Sequence, residues 1–243
     1  MIGTLYIVAT PIGNLDDITI RAIKTLFSVD GIACEDTRKT GFLLRELQKR
    51  HPEFAFPQNG EKFQRMLSYY EENEEQRIPE IVSALETGLS VALVSDAGTP
   101  LISDPGYRLV RECVKKGIPV VTVPGASASI GALTLSGFPT DKFVFYGYPP
   151  RKEGNRKTLF EHALKAQESV SATMIFYEAP HRLGKTLVAM KETFGDAQVA
   201  LCREMTKTYE EIIHGTLSEV IEIFKKKEPK GEFVIVLNLK QLD

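Results

Sequence analysis

Four short apolar runs in the first half of the chain alternate with segments of helical period. The runs are Leu5 to Ala9, Gly31 to Cys34, Val91 to Val94 and Pro119 to Val123; the helical patterns lie at about Ile18 to Phe27, Thr40 to Gln48, Lys62 to Tyr70, Ile78 to Glu86 and Tyr107 to Lys115. The runs are short and β-branched or apolar, as strands are, and the segments between them are amphipathic with a helical period. This order predicts a parallel α/β sheet.

The stretch "TVPGASASIGALTLSGFP", Thr122 to Pro139, marks a change of regime: a strand exit, a glycine turn, then small residues able to pack a helix tightly. Beyond it come strand candidates Phe143 to Gly147, Ala172 to Tyr177, Gln198 to Cys202, Glu211 to His214 and Phe233 to Leu239, several with little predicted helix between them. A mixed second sheet is expected. The domains expected are 1–117 and 118–243, two α/β units meeting in a cleft.

With 243 residues, 43% hydrophobic and 26% charged, the chain is long enough for one large core or two smaller ones. Its net charge of -2 argues against broad coating of nucleic acid, which rests on neutralising many phosphates, and leaves room for a local basic surface. The start, "MIGTLYIVATPIG", has no basic n-region and its apolar run stops at Pro11, so neither a signal peptide nor a membrane span is expected, and a cytoplasmic placement follows. Cys34, Cys113 and Cys202, odd in number and widely spaced, read as reduced thiols. His51, His162, His181 and His214 are scattered without metal-ligand spacing, so no metal site is expected. The charge runs "EENEEQ" (Glu71 to Gln76) and "KKKEPK" (Lys225 to Lys230) read as solvated helix ends and turns.

The run Val91 to Val94 feeds "SDAGTPLISDPG", a loop far longer than a reversal of direction needs and rich in Gly, Pro and small polar groups. It lacks the Gly-x-Gly-x-x-Gly pattern, and no Gly-x-x-x-x-Gly-Lys-Ser/Thr occurs, so a nicotinamide dehydrogenase and a phosphate cradle are both disfavoured. "ATPIGNLDDIT", "CEDTRKT", "PGASAS" and "FYEAPHR" also sit at strand ends, where open α/β sheets bind ligands. Any one of these usually marks only a turn; five in one chain point to a site.

In that order, "VATPIGNLDDITIRA", "CEDTRKT", "VSDAGTPLISDPG", "VPGASA" and "FYEAPHRL" resemble the bacterial ribose 2'-O-methyltransferases that act on a cytidine of small-subunit ribosomal RNA, within the tetrapyrrole methylase superfamily, over about residues 4 to 239. The resemblance implies a two-domain tetrapyrrole-methylase-like fold, S-adenosylmethionine folded between the domains, a ribosomal RNA or small-subunit partner and a homodimer. It places the superfamily's cofactor loop on Ala97, Gly98, Thr99 and Pro100, with Ile102 at the apolar contact, the Thr-Ala pair on Ser127 and Ala128, and further contacts on Pro11, Ser95, Tyr177, Glu178 and Met205. Thr99 stands where the superfamily has Asp.

Methyl transfer to a ribose hydroxyl is an in-line displacement that needs orientation and a group to take the hydroxyl proton. Glu35, Asp36, Asp104 and His181 are the candidate bases. Glu35 and Asp36 with Arg38 are favoured as the catalytic set, because a carboxylate at a strand exit beside a cation suits both proton removal and phosphate positioning. Asp36 as a plain helix cap with a surface Arg38 fits the same residues. His181 and Arg182 follow Pro180 at a helix start and are candidates for RNA contact, though Glu178 and Pro180 also fit simple capping. Arg151, Lys152, Arg156 and Lys157 in "YPPRKEGNRK" form the best local phosphate-binding candidate, or a solvated lead-in to a helix. Pro11 and Asn14 depart from the glycine-rich loop of corrin and porphyrin methylases, which favours RNA over a tetrapyrrole substrate. A tetrapyrrole or other small-molecule methylase, and a non-catalytic RNA binder on the same scaffold, are the alternatives.

Overall fold

The computed structural model describes residues 1–54 and 65–240, which divide into two compact units, Met1–Ser127 and Ala128–Asp243.

In the first unit the strands are β1 (Leu5–Val8), β2 (Gly31–Cys34), β3 (Arg65–Ser68), β4 (Val91–Val94) and β5 (Val120–Val123), and the helices α1 (Ile20–Ser28), α2 (Thr37–Arg50), α3 (Glu74–Glu86) and α4 (Tyr107–Lys115). The sheet order is β3-β2-β4-β1-β5, and every neighbouring pair is parallel. The apolar strands are explained by what covers them. On one face Ala22, Ile23 and Leu26 of α1 and Leu44 and Leu47 of α2 close over Val8, Ile32 and Ala92. On the other, Ile81, Val82 and Leu85 of α3 and Leu109 and Cys113 of α4 close over Leu5, Ala33 and Leu93. With both faces covered, alternation of polar and apolar residues has no physical reason to appear.

The helix expected over Lys62 to Tyr70 is a correction: residues 62–64 lie outside the described residues, and Arg65–Ser68 is strand β3, paired from Gly31↔Arg65 to Cys34↔Ser68. A four-residue segment carries too little periodicity to resist an open sheet edge, and the edge of β2 decides its conformation. The acidic run is corrected too. Glu74 is 7% exposed, accepting a hydrogen bond from the Tyr69 hydroxyl at 3.3 Å and pairing with Arg108 Nε at 3.3 Å.

In the second unit α5 (Ala128–Leu135) precedes β6 (Phe143–Gly147), α6 (Glu153–Ser169), β7 (Thr173–Glu178), α7 (Pro180–Phe194), β8 (Gln198–Arg203), β9 (Glu211–Thr216), α8 (Leu217–Lys226) and β10 (Phe233–Asn238). The order is β6-β7-β10-β8-β9; β6 and β7 are parallel, and the remaining pairs antiparallel. The sheet is mixed as expected, yet three long helices separate most of its strands, and only β8 runs into β9 without one. Phe160, Leu183, Leu187 and Val220 from α6, α7 and α8 pack on Phe176, Leu201 and Ile235. The opposite face of β7, β8 and β10 is met by α5, whose only polar side chains are Ser129 and Thr134. Cys34, Cys113 and Cys202 are free and buried, and burial pushes the Cys113 and Cys202 thiols up to about 11. Among the described residues no helix is long and apolar enough to cross a membrane.

Candidate active site

Because all five strands of the first sheet run the same way, the loops leaving β1, β2, β4 and β5 lie along one edge. Backbone hydrogen bonds stitch them together. Thr10 N donates to Gly98 O at 2.8 Å and Gly98 N to Thr10 O at 3.1 Å, while Thr10 Oγ1 donates to Ser95 O at 3.2 Å. Thr99 Oγ1 donates to Ala126 O at 2.9 Å, which fixes the loop after β4 to the loop after β5. Gly98 has φ +84°, and a Cβ there would stand 3.2 Å from Ile12 Cγ2. Leu101 (φ 72°) and Ser103 (φ 67°) hold left-handed conformations unusual for residues with side chains. Such strain persists only where surrounding structure imposes it. Ala97 and Ile102 are exposed beside buried Pro11 and Ser95, and Ser127 is half-buried.

A charged network lies on the same edge. Asp96 N donates to Glu35 Oε1 at 3.1 Å, Asp36 N donates to Asp96 Oδ1 at 3.2 Å, and Lys39 Nζ pairs with Asp96 Oδ2 at 2.7 Å. Asp36 caps α2: its carboxylate accepts from Arg38 N at 2.8 Å, Arg38 Nε at 3.1 Å and Arg38 Nη2 at 2.8 Å. These bonds hold its carboxyl well below the usual range. Glu35 moves the other way because it is desolvated. Asp104 moves furthest: burial, then the Glu35 charge, lifts its carboxyl to about 7 against a lowering hydrogen bond from Ser95.

The structure thus brings Glu35, Asp36 and Arg38 together and adds Asp96 and Lys39, which the sequence did not single out. Their only signal is position, Asp96 one residue past Ser95 and Lys39 within the first turn of α2. Thr10 was likewise missed; nothing in the sequence marks its hydroxyl as the tie to the loop after β4.

In the second unit Glu178, at the end of β7, has a fully buried side chain that accepts from Ala179 N at 2.8 Å and from Thr186 Oγ1 and pairs with Arg182 Nε at 3.2 Å. Arg182 also donates to Pro149 O. The Tyr177 hydroxyl accepts from Ser129 N at 3.1 Å, one residue past half-buried Ala128, and Phe145 and Tyr148 meet the Tyr177 ring edge-on. Met205 is buried and His181 is exposed in the first turn of α7. Arg151, Lys152 and Lys157 are exposed, whereas Arg156 is buried in α6.

A parallel sheet with its strand-end loops gathered at one edge, followed by a mixed sheet, is an α/β architecture of the kind that binds ligands at strand ends. The family model for Tetrapyrrole (Corrin/Porphyrin) Methylases matches residues 4–221, and the chain belongs to that family. Within it, the chain is 46% identical over 239 residues to the ribosomal RNA small subunit methyltransferase I of Thermotoga maritima, covering 98% of this chain and 100% of the relative. The proteins of the same name from Halalkalibacterium halodurans and Bacillus subtilis are each 46% identical over 235 residues, 97% of this chain and 75% of theirs. Among solved structures, a diphthine synthase superposes with TM-score 0.71 at 18% identity, over 99% of this chain and 92% of its own. The uroporphyrin-III-C-methyltransferase of Thermus thermophilus does so with TM-score 0.63 at 16% identity, over 98% and 95%. These two share the fold.

Proposed function

We propose that the protein transfers the methyl group of S-adenosylmethionine to the ribose 2'-hydroxyl of a cytidine in small-subunit ribosomal RNA. The observation that carries this reading is 46% identity across nearly the whole chain to proteins named for methylation of that RNA. A tetrapyrrole substrate has less support, since the likeness to a uroporphyrin enzyme stands at 16% identity and concerns the fold.

The strand-end surface of the first unit suits the cofactor. A Cβ at Gly98 would press on Ile12 Cγ2 at 3.2 Å, and the residues on either side, exposed Ala97 and half-buried Thr99, are small, so a ligand can be read at close range along this loop, its ribose and amino-acid head included. Glu35 and Asp96 beside it suit the positive charge of a sulfonium and an ammonium group. When bound, S-adenosylmethionine supplies a methyl group activated by the sulfonium. The chain's part is to orient the ribose and take the hydroxyl proton. Asp104 is the acceptor we assign: it lies in the loop after β4, hydrogen-bonded by Ser95 and facing the charges of Glu35 and Asp96, with its carboxyl lifted to about 7, while Asp36 is committed to Arg38 and the start of α2. Asp36 and Arg38 then position, and Glu35 keeps Asp104 basic through its charge.

Edge strand β6 leaves Phe143 (42%) and Val144 (38%) exposed, which supports self-association as a homodimer, to be read by sedimentation velocity. The function is tested by incubating the protein with methyl-labelled S-adenosylmethionine and unmethylated small ribosomal subunits, then digesting the RNA to nucleosides for mass spectrometry. The expected product is 2'-O-methylcytidine. A methylated base, or no transfer to this RNA, would overturn the proposal.

A further inference from the structure

Helix α6 starts with Lys152 as its N-cap residue and with no side chain capping it. The N–H groups of Glu153, Gly154 and Asn155 precede the helix's own ladder, whose first bond here runs from Arg156 N to Lys152 O at 3.0 Å. The surface over this turn is open: a Cβ built on Gly154 would meet nothing within 4 Å. Glycine costs a helix stability relative to alanine, and no packing requires it here.

Arg156 belongs to the same turn and is 7% exposed. Among the described residues its Nε has no hydrogen-bond partner and its guanidinium is held by one long bond, Nη1 to Arg151 O at 3.4 Å. That bond places the guanidinium at the N-terminal end of α6. Arg182 is the informative contrast. Its Nε is also buried, but Glu178 Oε1 stands 3.2 Å away and neutralises it. The two arginines brace one loop, Arg182 at Pro149 O and Arg156 at Arg151 O, and among the described residues only Arg182 of the pair has an internal counter-ion. Burying a cation without one is costly, and the cost is recovered when an anion arrives. Exposed Arg151, Lys152 and Lys157 surround the turn; exposed Glu153 is the one carboxylate in it.

Resting on the RNA reading above, we propose that the N-terminal turn of α6 seats one phosphodiester of the substrate RNA. The free amides of residues 153–155 hold its oxygens and the Arg156 guanidinium neutralises it, with helix dipole and side-chain charge acting in the same direction. The basic segment then carries a defined pocket for one phosphate, surrounded by diffuse charge from its exposed neighbours.

The test uses the full chain and a labelled single-stranded fragment of small-subunit ribosomal RNA, with binding followed by anisotropy across a salt series. Arg156→Met should bind about ten-fold more weakly, and the slope of log affinity on log salt should fall by about 0.7, the share of one phosphate on a single strand. Arg156→Lys keeps the charge, so it should keep the slope and lose less affinity. The melting temperature of Arg156→Met should equal or exceed the parent's, since an uncompensated charge is gone. Calorimetry with inorganic phosphate alone should show no saturable binding. Unchanged affinity and slope in Arg156→Met would overturn the site, as would a drop in melting temperature that Arg156→Lys restores with no difference in RNA binding between the two variants. Saturable phosphate binding lost in Arg156→Met would assign the turn to a free anion instead of RNA. A parent that binds RNA with the full slope and transfers no methyl group refutes the function alone; a parent that methylates and is matched by Arg156→Met refutes the phosphate site alone. A parent that binds no RNA fragment refutes the phosphate site, and the function is then decided by transfer to small ribosomal subunits.

Discussion

Thr10 and Gly98 hold each other through both backbone groups, the Thr10 amide on the Gly98 carbonyl at 2.8 Å and the Gly98 amide on the Thr10 carbonyl at 3.1 Å. This bridge joins the loops leaving β1 and β4 into one surface, and Gly98 makes it with a positive φ of +84°. Gly98→Ala should therefore cost about 1–2 kcal/mol of stability from backbone conformation and the press of the new Cβ on Ile12. Gly98→Val, larger and β-branched, should abolish binding of S-adenosylmethionine. Urea denaturation measures the first and calorimetry the second; cofactor affinity equal to the parent's in Gly98→Val removes this loop from the site.

The assignment of Asp104 sets a pH profile. A base must be unprotonated to work, so the single-turnover methylation rate should rise with pH through a midpoint near 7, where burial and Glu35 place this carboxyl. Asp104→Asn should slow methyl transfer by roughly a hundredfold or more and abolish that limb of the profile. Asp36→Asn should retain the limb and lose much less rate. The reverse pattern would move the base to Asp36.

Asp104 also has a thermodynamic signature. Its folded-state affinity for a proton exceeds that of the unfolded chain, so its contribution to stability falls as pH rises from the ordinary carboxylate range to about 7. Asp104→Asn should thus melt higher than the parent at pH above about 7, with the difference shrinking toward about pH 4. For Asp36 the sign is opposite. Its carboxyl is held low by Arg38, so it stabilises at neutral pH and the contribution is lost only as pH falls below the usual carboxylate range. Melting curves of both variants across pH separate the two cases, and parallel curves would count against both.

Glu74 should be a stability residue. With Glu74→Ala the Tyr69 hydroxyl, on a fully buried residue, loses its acceptor, at a cost of about 1–3 kcal/mol. Urea midpoints of Glu74→Ala and of Glu74→Ala with Tyr69→Phe decide it: the double variant should recover part of the loss, and no recovery would show that the hydroxyl was not the group left unsatisfied.

What the sequence by itself determined is what short-range chemistry determines. Val91 to Val94 is apolar at every position and becomes a strand with exactly those bounds; Tyr107–Lys115 carries a strong apolar stripe and becomes α4 at the expected residues. The Gly- and Pro-rich loop after β4 falls at a strand end because it contains the residues that tolerate left-handed and constrained backbone, and Asp36 and Pro180 open helices for the same local reasons. The tertiary structure alone decided the rest. Arg65–Ser68 became a strand because an edge of β2, thirty-odd residues earlier, offered it a full set of backbone partners. Glu74 lies inside a run that reads as solvated, and only the approach of Tyr69 and Arg108 makes its burial tolerable. Arg156 is indistinguishable in sequence from Arg151, Lys152 and Lys157, yet α6 turns it inward and leaves them in water. The proton affinity of Asp104 depends on desolvation and on Glu35, a residue on another strand's exit. Propensity and period act over a few residues, whereas burial, counter-ions and strand partners are set by parts of the chain that meet only once it has folded.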